Sequence, residues 1–322
     1  MNIAFIGVGN ISGIYLKNIT RRFTEMKIVG LCDLIPEKAQ KAASEYGINK
    51  VYRDMYEAFA DPDVDIILNI TRPYQHYEVT RQALLAGKHV YSEKPLGASV
   101  DEGRELVALA KEKGLLIGGA PDTFLGAGIQ TCKKLIDDDY IGRPIGASAF
   151  MMGAGPDSWH PDPFFFYKYG GGPMMDMGPY YITALTYLLG RVESVVGMAS
   201  ASFPERLFTC KEHFGETTAV EVSTHVTGSM RFESGAIGSI TTSFDVKKSI
   251  LPRIEIYGEK GTLIVPDPNT FGGPVRLYRP EDGEIKEMPL LGTYSDNSRG
   301  IGLLEMARAI KKREKDFITS SS

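Results

Sequence analysis

Residues 90–97 read VYSEKPLG and place the ammonium group of Lys94 directly after an apolar stretch. A lysine in this position is ordinarily a solvated end cap. Ser99 and Glu102 form an S-x-x-E capping box, which starts the next helix at residue 100 and leaves Lys94 in the preceding loop. Open α/β sheets bind ligands at the carboxyl ends of their strands, so Lys94 is a candidate for chemistry.

The opening IAFIGVGNISG predicts a dinucleotide-binding turn after the first strand. Gly7 and Gly9 would let the backbone approach a pyrophosphate, which would rest on the amides of the helix start at Asn10 and Ile11. Ser12 stands where the third glycine of G-x-G-x-x-G is usual, so the helix must pack on the strand with one added hydroxyl. A plain tight turn is the alternative.

Asp33 ends the second apolar stretch, IVGLCD. At this spacing a carboxylate accepts hydrogen bonds from an adenine ribose and repels a 2′-phosphate. No arginine follows immediately, which favours NAD over NADP. The alternative is a solvated acid at a strand end.

The elements that would position these residues form an α/β pattern up to about residue 120. Short apolar strands alternate with helices that begin at residues such as Pro36 and stop at Gly47, Gly87 and Gly114, which predicts a parallel sheet wound by crossovers. The predicted strands are residues 3–6, 28–32, 66–70, 89–92 and 115–118.

Beyond residue 120 the pattern changes to longer strands with period-two alternation, as in residues 220–227. Such alternation favours an antiparallel sheet with one wet face. Further strands are predicted near residues 145–152, 192–202, 236–245 and 253–265. The second half is therefore expected to be an α+β domain built on an open sheet.

Composition limits the function classes. A net charge of −4 over 322 residues gives no basic excess for nucleic acid. Cys32, Cys132 and Cys210 form no C-x-x-C pair, which predicts neither disulfides nor a metal site and fits a reducing cytoplasm. No leader or membrane-length apolar run is present, so the chain is expected to be neither exported nor inserted in a membrane.

Five features together resemble the glucose-fructose oxidoreductase and inositol dehydrogenase family, Gfo/Idh/MocA: GVGNISG, Asp33, ILNITRPYQH, SEKP and GGGPMMDMGPYY. SEKP is the most specific of these and the glycine turn the least. The resemblance implies an NAD(P)-binding Rossmann domain over residues 1–120. It implies a substrate-binding and oligomerisation domain over residues 121–322, with a large, mostly antiparallel open sheet.

The resemblance also implies NAD(P)-dependent oxidation or reduction of CH–OH groups of sugars, cyclitols or related polyols. A homodimer or homotetramer would form through the C-terminal sheet. Family members commonly continue for some tens of residues after the equivalent of the helical stretch 301–317, so this chain is expected to be shortened at its C-terminal end.

By resemblance, Lys94 matches the family's catalytic lysine, and Glu93 and Pro95 match neighbours along the cofactor. The Lys94–Pro95 bond is a candidate for the cis form. Thr71 and His76 match the segment that passes under the nicotinamide half.

Asp176 matches the aspartate of the family pattern G-G-G-x-x-x-D-x-G-x-H, and Tyr180 replaces its final histidine. The i, i+4 spacing would put both side chains on one side of a continuous helix. Pro179 cannot donate to the carbonyl of Met175, however, which predicts a kink that redirects Tyr180.

Oxidation of a secondary alcohol needs a base for the hydroxyl proton and donors for the developing carbonyl oxygen. Lys94 can serve as the base if burial and a cationic nicotinamide favour its neutral form. If Asp176 pairs with it, Lys94 stays charged and holds the substrate oxygen, and Tyr180 becomes the candidate acid or base.

The stretch WHPDPFFFYKYGGG offers flat faces beside hydrogen-bonding groups, which suit a sugar ring. Trp159, His160 and Tyr167 are candidates to line the substrate pocket, and His160 could replace the missing histidine. Phe164, Phe165 and Phe166 are expected to pack in a core or a subunit contact instead.

Two rival functions remain open. One is an NAD-dependent glycoside hydrolase of the same fold, which would release an aglycone without net NADH formation. The other is a non-catalytic dinucleotide sensor, which would bind NADH and change no polyol. Zinc alcohol dehydrogenase and serine hydrolase chemistry are disfavoured, because the sequence has neither a ligand-spaced cluster nor a G-x-S-x-G elbow.

Overall fold

The computed structural model describes residues 1–320, with side chains described through residue 313. The chain divides into two compact units. The first unit comprises Met1–Asp122 and the residues from Arg299 onward, and the second comprises Thr123–Ser298. The last helix therefore lies in the first unit, whereas the sequence-based division assigned everything after residue 120 to the second domain.

The first unit alternates strands and helices as predicted. Its elements are β1 (Asn2–Ile6), α1 (Ser12–Arg21), β2 (Lys27–Cys32), α2 (Pro36–Tyr46), α3 (Met55–Ala60), β3 (Ile66–Asn69), α4 (His76–Leu85), β4 (His89–Ser92), α5 (Val100–Glu112) and β5 (Ile117–Gly119). The strands form a parallel sheet in the order β2-β1-β3-β4-β5. The order reverses between β1 and β3, which is where sheets of this type hold ligands.

The predicted helix boundaries are confirmed by backbone geometry. Gly47, Gly87 and Gly114 follow helices with φ of 67°, 79° and 68°. The left-handed region favours glycine because no Cβ is present to clash. The Ser99 hydroxyl accepts the N–H of Glu102 at 3.2 Å, so α5 begins at Val100 as the capping box predicts.

The second unit contains the larger sheet. Its elements are α6 (Ala127–Asp137), β6 (Pro144–Met152), α7 (Pro173–Asp176), α8 (Gly178–Leu189), β7 (Val192–Ser200), β8 (Glu205–Leu207), β9 (Thr217–Ala219), β10 (His225–Phe232), β11 (Ile237–Ser243), β12 (Ile254–Gly258), β13 (Thr262–Val265), β14 (Val275–Tyr278) and β15 (Ile285–Met288). The eight-stranded sheet has the order β15-β14-β13-β12-β6-β11-β10-β7. Its pairs are antiparallel except β6 with β11, so the predicted mostly antiparallel sheet is confirmed.

One predicted strand is mostly wrong. Residues 220–224 are irregular, and only 225–227 of the alternating stretch belong to a strand, β10. The backbone N–H of Val220 bonds to Pro204, that of Glu221 to Tyr167 and that of Thr224 to Ser200. Because these bonds go to three separate segments, no single ladder forms despite the alternation. Similarly, the predicted strand 253–265 is two strands, β12 and β13, paired with each other.

A final helix, α9 (Ile301–Ser320), returns to the first unit. Its buried side carries Leu303, Leu304, Ala307 and Ile310, spaced as one face of a helix. Gly118 of β5 leaves room for Met306, since a Cβ added there would lie 3.1 Å from its sulfur. Burial of this face explains why the helix belongs with the parallel sheet. Within the described residues, no helix is long and apolar enough to cross a bilayer.

Candidate active site

Four strands of the first unit end level with one another. Ile6 of β1 pairs with Cys32 of β2 and Asn69 of β3, and Asn69 pairs with Ser92 of β4. The loops that follow therefore emerge at one edge of the sheet. All the predicted cofactor residues lie in or next to these loops, namely Gly7, Gly9, Asn10, Ile11, Asp33, Thr71, His76, Glu93, Lys94 and Pro95.

Gly7 and Gly9 of the glycine turn lack a side chain for two different reasons. Gly7 has φ of +99°, and a Cβ there would lie 2.6 Å from the carbonyl oxygen of Ile70, so packing against the end of β3 excludes a side chain. At Gly9 an added Cβ would meet no protein atom within 4 Å. The space over Gly9 is thus open, as the close approach of a pyrophosphate requires.

Ser12 is accommodated by a local bond. Its hydroxyl donates to the carbonyl of Gly9 at 2.7 Å, and its side chain is buried. A buried hydroxyl costs little when it is paired. The departure from the third glycine therefore leaves the turn intact.

Asp33 holds the same turn from the neighbouring strand. Its Oδ2 accepts the N–H of Val8 at 2.6 Å, and its Oδ1 accepts the N–H of Ile35 at 2.8 Å. Besides the predicted contact with an adenine ribose, Asp33 orders the glycine turn.

The loop after β3 is organised by Asn69, a fully buried residue that the sequence analysis did not single out. Its Oδ1 accepts the hydroxyl of Thr71 at 2.7 Å, and its Nδ2 donates to the carbonyl of His76 and the hydroxyl of Thr80. Thr71, predicted to lie under the nicotinamide, is thereby fixed in place.

His76 joins two loops. Its Nδ1 lies 2.6 Å from the carbonyl oxygen of Pro95, and its Nε2 lies 3.0 Å from that of Thr71. Burial lowers the pKa of His76, against the opposing effect of these carbonyls. Since His76 is buried and both ring nitrogens face backbone, it positions the loops rather than offering a free group to a ligand.

The loop after β4 carries the catalytic candidate. Lys94 is half-buried, and its peptide bond to Pro95 is cis, as the sequence allowed. The buried carboxylate of Glu93 accepts the backbone N–H of Lys94 through Oε2 at 3.1 Å and the hydroxyl of Tyr15 through Oε1 at 2.7 Å. Tyr15 lies on α1, and no motif in the sequence singles it out.

Asp176 and Tyr180 lie in the second unit, on either side of a helix break. α7 ends at Asp176 and α8 begins at Gly178, with Met177 between them at φ −110° and ψ −27°. The kink predicted from Pro179 is confirmed. Asp176 is half-buried, whereas Tyr180 is only 7% exposed and belongs to the core cluster between α8 and the large sheet.

The aromatic stretch at residues 159–167 of the second unit has some side chains at the surface and others in the interior. The Trp159 side chain is 68% exposed, and His160 stacks edge-on against it and against Phe165 and Phe166. The Nδ1 of His160 accepts the N–H of Asp162 at 3.0 Å, so in the neutral ring Nε2 carries the proton.

Tyr167 is fully buried, and its hydroxyl donates to Asp157. It therefore has no exposed atoms with which to line a pocket, contrary to its predicted role. The phenylalanines next to it pack in a cluster with Phe208 and Phe244, as expected for core residues.

An ion-pair network behind this stretch was not anticipated. Arg206 is buried and binds Asp157 and Asp245, and it also donates to the carbonyls of Ala154 and Phe244. These bonds tie the loop before Trp159 to the end of β11. The spacing of these residues in the sequence gives no signal for the network, because Arg206 lies 38 to 52 residues from its partners.

Comparisons with known proteins match both units. The profile of an oxidoreductase family with an NAD-binding Rossmann fold matches residues 1–119, and that of the GFO/IDH/MocA C-terminal domain matches residues 129–264. The chain is 24% identical to myo-inositol 2-dehydrogenase of Thermotoga maritima over 264 residues, which cover 82% of this chain and 74% of that protein. It is 29% identical to 1,5-anhydro-D-fructose reductase of Ensifer adhaerens over 245 residues, 76% of this chain and 69% of that protein.

Among solved structures, the apo form of levoglucosan dehydrogenase superposes with a TM-score of 0.81 at 22% identity. The match covers 97% of this chain and 90% of that one. At this identity the likeness supports the fold.

Proposed function

Because the chain belongs to the Gfo/Idh/MocA family of NAD-binding oxidoreductases, we propose that it transfers a hydride between NAD(H) and a secondary alcohol or ketone of a sugar, cyclitol or related polyol. The observation that carries the proposal is the level ending of four strands. It gathers the glycine turn, Asp33 and the Lys94 loop at one edge of the parallel sheet. The names of the relatives, an inositol dehydrogenase and an anhydrofructose reductase, support a polyhydroxy substrate.

The first unit fits the dinucleotide. The open space over Gly9 would admit the pyrophosphate, with the amides of Asn10 and Ile11 at the start of α1. Asp33 would bind the adenine ribose, and its negative charge disfavours the 2′-phosphate of NADP. When bound, NAD supplies the acceptor or donor of the hydride. Thr71, Glu93 and Pro95 would border its nicotinamide end, and His76 would hold their loops together.

We assign the proton transfer to Lys94. Its half-buried ammonium can hold the substrate oxygen and exchange the hydroxyl proton as the carbonyl forms or disappears. In the second unit, half-buried Asp176 is proposed to contact the substrate, and the buried phenol of Tyr180 is the alternative proton carrier. Trp159 offers a surface for a sugar ring and His160 a donor at Nε2.

The proposed function is tested by a screen of cyclitols, aldoses and their keto forms with NAD(H) and NADP(H), following cofactor absorbance. Lys94→Ala should abolish turnover while leaving NADH binding within about tenfold, because the lysine acts on the substrate. Lys111→Ala, which replaces an exposed lysine on α5, is the matched control and should leave turnover unchanged. Undiminished turnover in Lys94→Ala would contradict the assignment.

We also propose a cytoplasmic homodimer or homotetramer formed through the large sheet. The three cysteines are free and buried, as suits a reducing compartment. On the edge strand β7, Val196 and Met198 are 73% and 82% exposed, and Ile237 of β11 is on the same face. An exposed apolar surface of this kind favours association. Light scattering on the purified protein measures the assembly, and a monomer would contradict it.

A further inference from the structure

A buried hydrogen bond connects the helix of the glycine turn to the catalytic loop. Tyr15 lies on α1 and is fully buried, and its hydroxyl donates to the Oε1 atom of Glu93 at 2.7 Å. The other oxygen of that carboxylate accepts the backbone N–H of Lys94 at 3.1 Å. One carboxylate therefore links the Tyr15 phenol directly to the backbone of Lys94.

The hydroxyl of Tyr15 remains a hydrogen-bond donor over the physiological pH range. Burial, and next the charge of Glu93, hold the pKa of Tyr15 well above its usual value of 10.0, so the hydroxyl keeps its proton at physiological pH. Asp122 and Tyr91 are the other titratable groups near this phenol, and both add to the effect. The charge of Glu93 also acts on His76, the first residue of α4.

The ring of Tyr15 also lies next to the segment that precedes α9. Gly300, with φ of +102°, precedes α9, and a Cβ added there would lie 3.6 Å from the Tyr15 ring. Asp122 fixes this segment by accepting the N–H groups of Gly300 and Gly302. Asn18, one turn along α1 from Tyr15, donates to the carbonyl of Arg299 at 2.8 Å. The phenol therefore lies between a pinned segment and Glu93, with little room to turn away.

We propose that Tyr15 is a positioning residue for catalysis, which acts through Glu93 to fix the backbone of Lys94. The inference rests on the proposed function, because it presupposes that Lys94 reacts with the substrate. The ring of Tyr15 fills the core, whereas its hydroxyl makes the contact with Glu93. Removing only the hydroxyl would leave a buried carboxylate with one donor fewer, and the loop would lose its anchor to α1.

The test is Tyr15→Phe in the chain of 322 residues, measured by single-turnover hydride transfer, steady-state kinetics and NADH fluorescence titration. We expect kcat to fall about tenfold, because small misplacement of a reacting group is costly, while the Kd of NADH stays within about twofold. Unchanged kcat would overturn the proposal.

A matched control is Tyr52→Phe. Tyr52 is buried in the same unit, and its hydroxyl donates to the buried carboxylate of Asp61 at 2.7 Å. This variant loses the same kind of bond away from Lys94, so kcat should stay at the wild-type value despite a similar loss of stability. An equal fall in kcat in both variants would assign the effect to general destabilisation and overturn the proposal.

Comparing the double variant Tyr15→Phe, Glu93→Gln with Glu93→Gln tests the route, and this comparison remains informative if Tyr15→Phe alone does not fold. The neutral amide that replaces the carboxylate in Glu93→Gln needs the phenol less, so the double variant should fold and have the kcat of Glu93→Gln alone. A further independent loss of about tenfold in the double variant would show that Tyr15 does not act through Glu93. If Lys94→Ala keeps its activity, the proposed function fails. If Lys94→Ala is inactive and Tyr15→Phe is unimpaired, only the positioning role fails.

Discussion

Asp122 is a fully buried carboxylate whose ionisation should set part of the pH dependence of unfolding. Its Oδ2 atom accepts the N–H of Gly300 at 2.8 Å and that of Gly302 at 3.1 Å, at the start of α9. Burial raises the pKa of Asp122 to about 6, against the opposing effect of these two bonds. Since both bonds go to one oxygen, a proton can lie on Oδ1 without breaking either.

The expected magnitude follows from linkage between protonation and folding. In the unfolded chain the pKa of this carboxyl is 3.8, so the folded state binds the proton more tightly. The resulting stability is fully present below pH 3.8 and is lost as the pH rises through about 6. A difference of about two pKa units corresponds to about 3 kcal/mol, of which about 2 kcal/mol is recovered at about pH 4.5.

Asp122→Asn tests this reasoning. The amide keeps the shape of the side chain and an acceptor oxygen for both N–H groups, but it does not ionise. Urea unfolding of both proteins at about pH 7.5 and about pH 4.5 should show the wild type gaining about 2 kcal/mol relative to the variant at the lower pH. Because the other titrating groups are the same in both proteins, their contributions to the free energy of unfolding cancel in the comparison. A difference between the proteins that stays constant to within about 0.5 kcal/mol would refute the argument.

Two further predictions concern other carboxylates. Asp33→Asn should raise kcat/KM for NADP relative to NAD by about tenfold or more, because the charge that repels the 2′-phosphate is removed; an unchanged ratio in paired cofactor assays would contradict the assignment. Arg206→Met should lower the free energy of unfolding by about 3–5 kcal/mol in urea titrations, because the largely buried carboxylates of Asp157 and Asp245 would lose their cationic partner. A loss below about 1 kcal/mol would show that the network is not a stabilising element.

Most of the dinucleotide half could be predicted because its signals are local. The helix stops at Gly47, Gly87 and Gly114 and the cap at Ser99 depend on neighbours within a few residues, and the structure has them as predicted. The same holds for the helix break before Pro179.

Prediction failed where backbone bonding is decided by distant segments. Residues 220–224 alternate as a strand would, yet their N–H groups bond to Pro204, Tyr167 and Ser200. Alternation reports which side chains face water and does not identify the partner of the backbone. The placement of α9 in the first unit is a similar case, because the pattern of the helix shows that one face is buried but not what buries it.

The residues that support the site are likewise determined by contacts between distant segments. Tyr15 and Glu93 are 78 residues apart, and Asp122 and Gly300 are 178 apart. In the sequence, Tyr15 is one more apolar position of an amphipathic helix, and Asp122 one acid after a proline. Only the fold shows that both adjoin the segment that leads into the last helix. A motif such as SEKP therefore locates the reacting group in the sequence. The residues that hold that group in place are brought to it by long-range contacts, so they can be identified only from the folded structure.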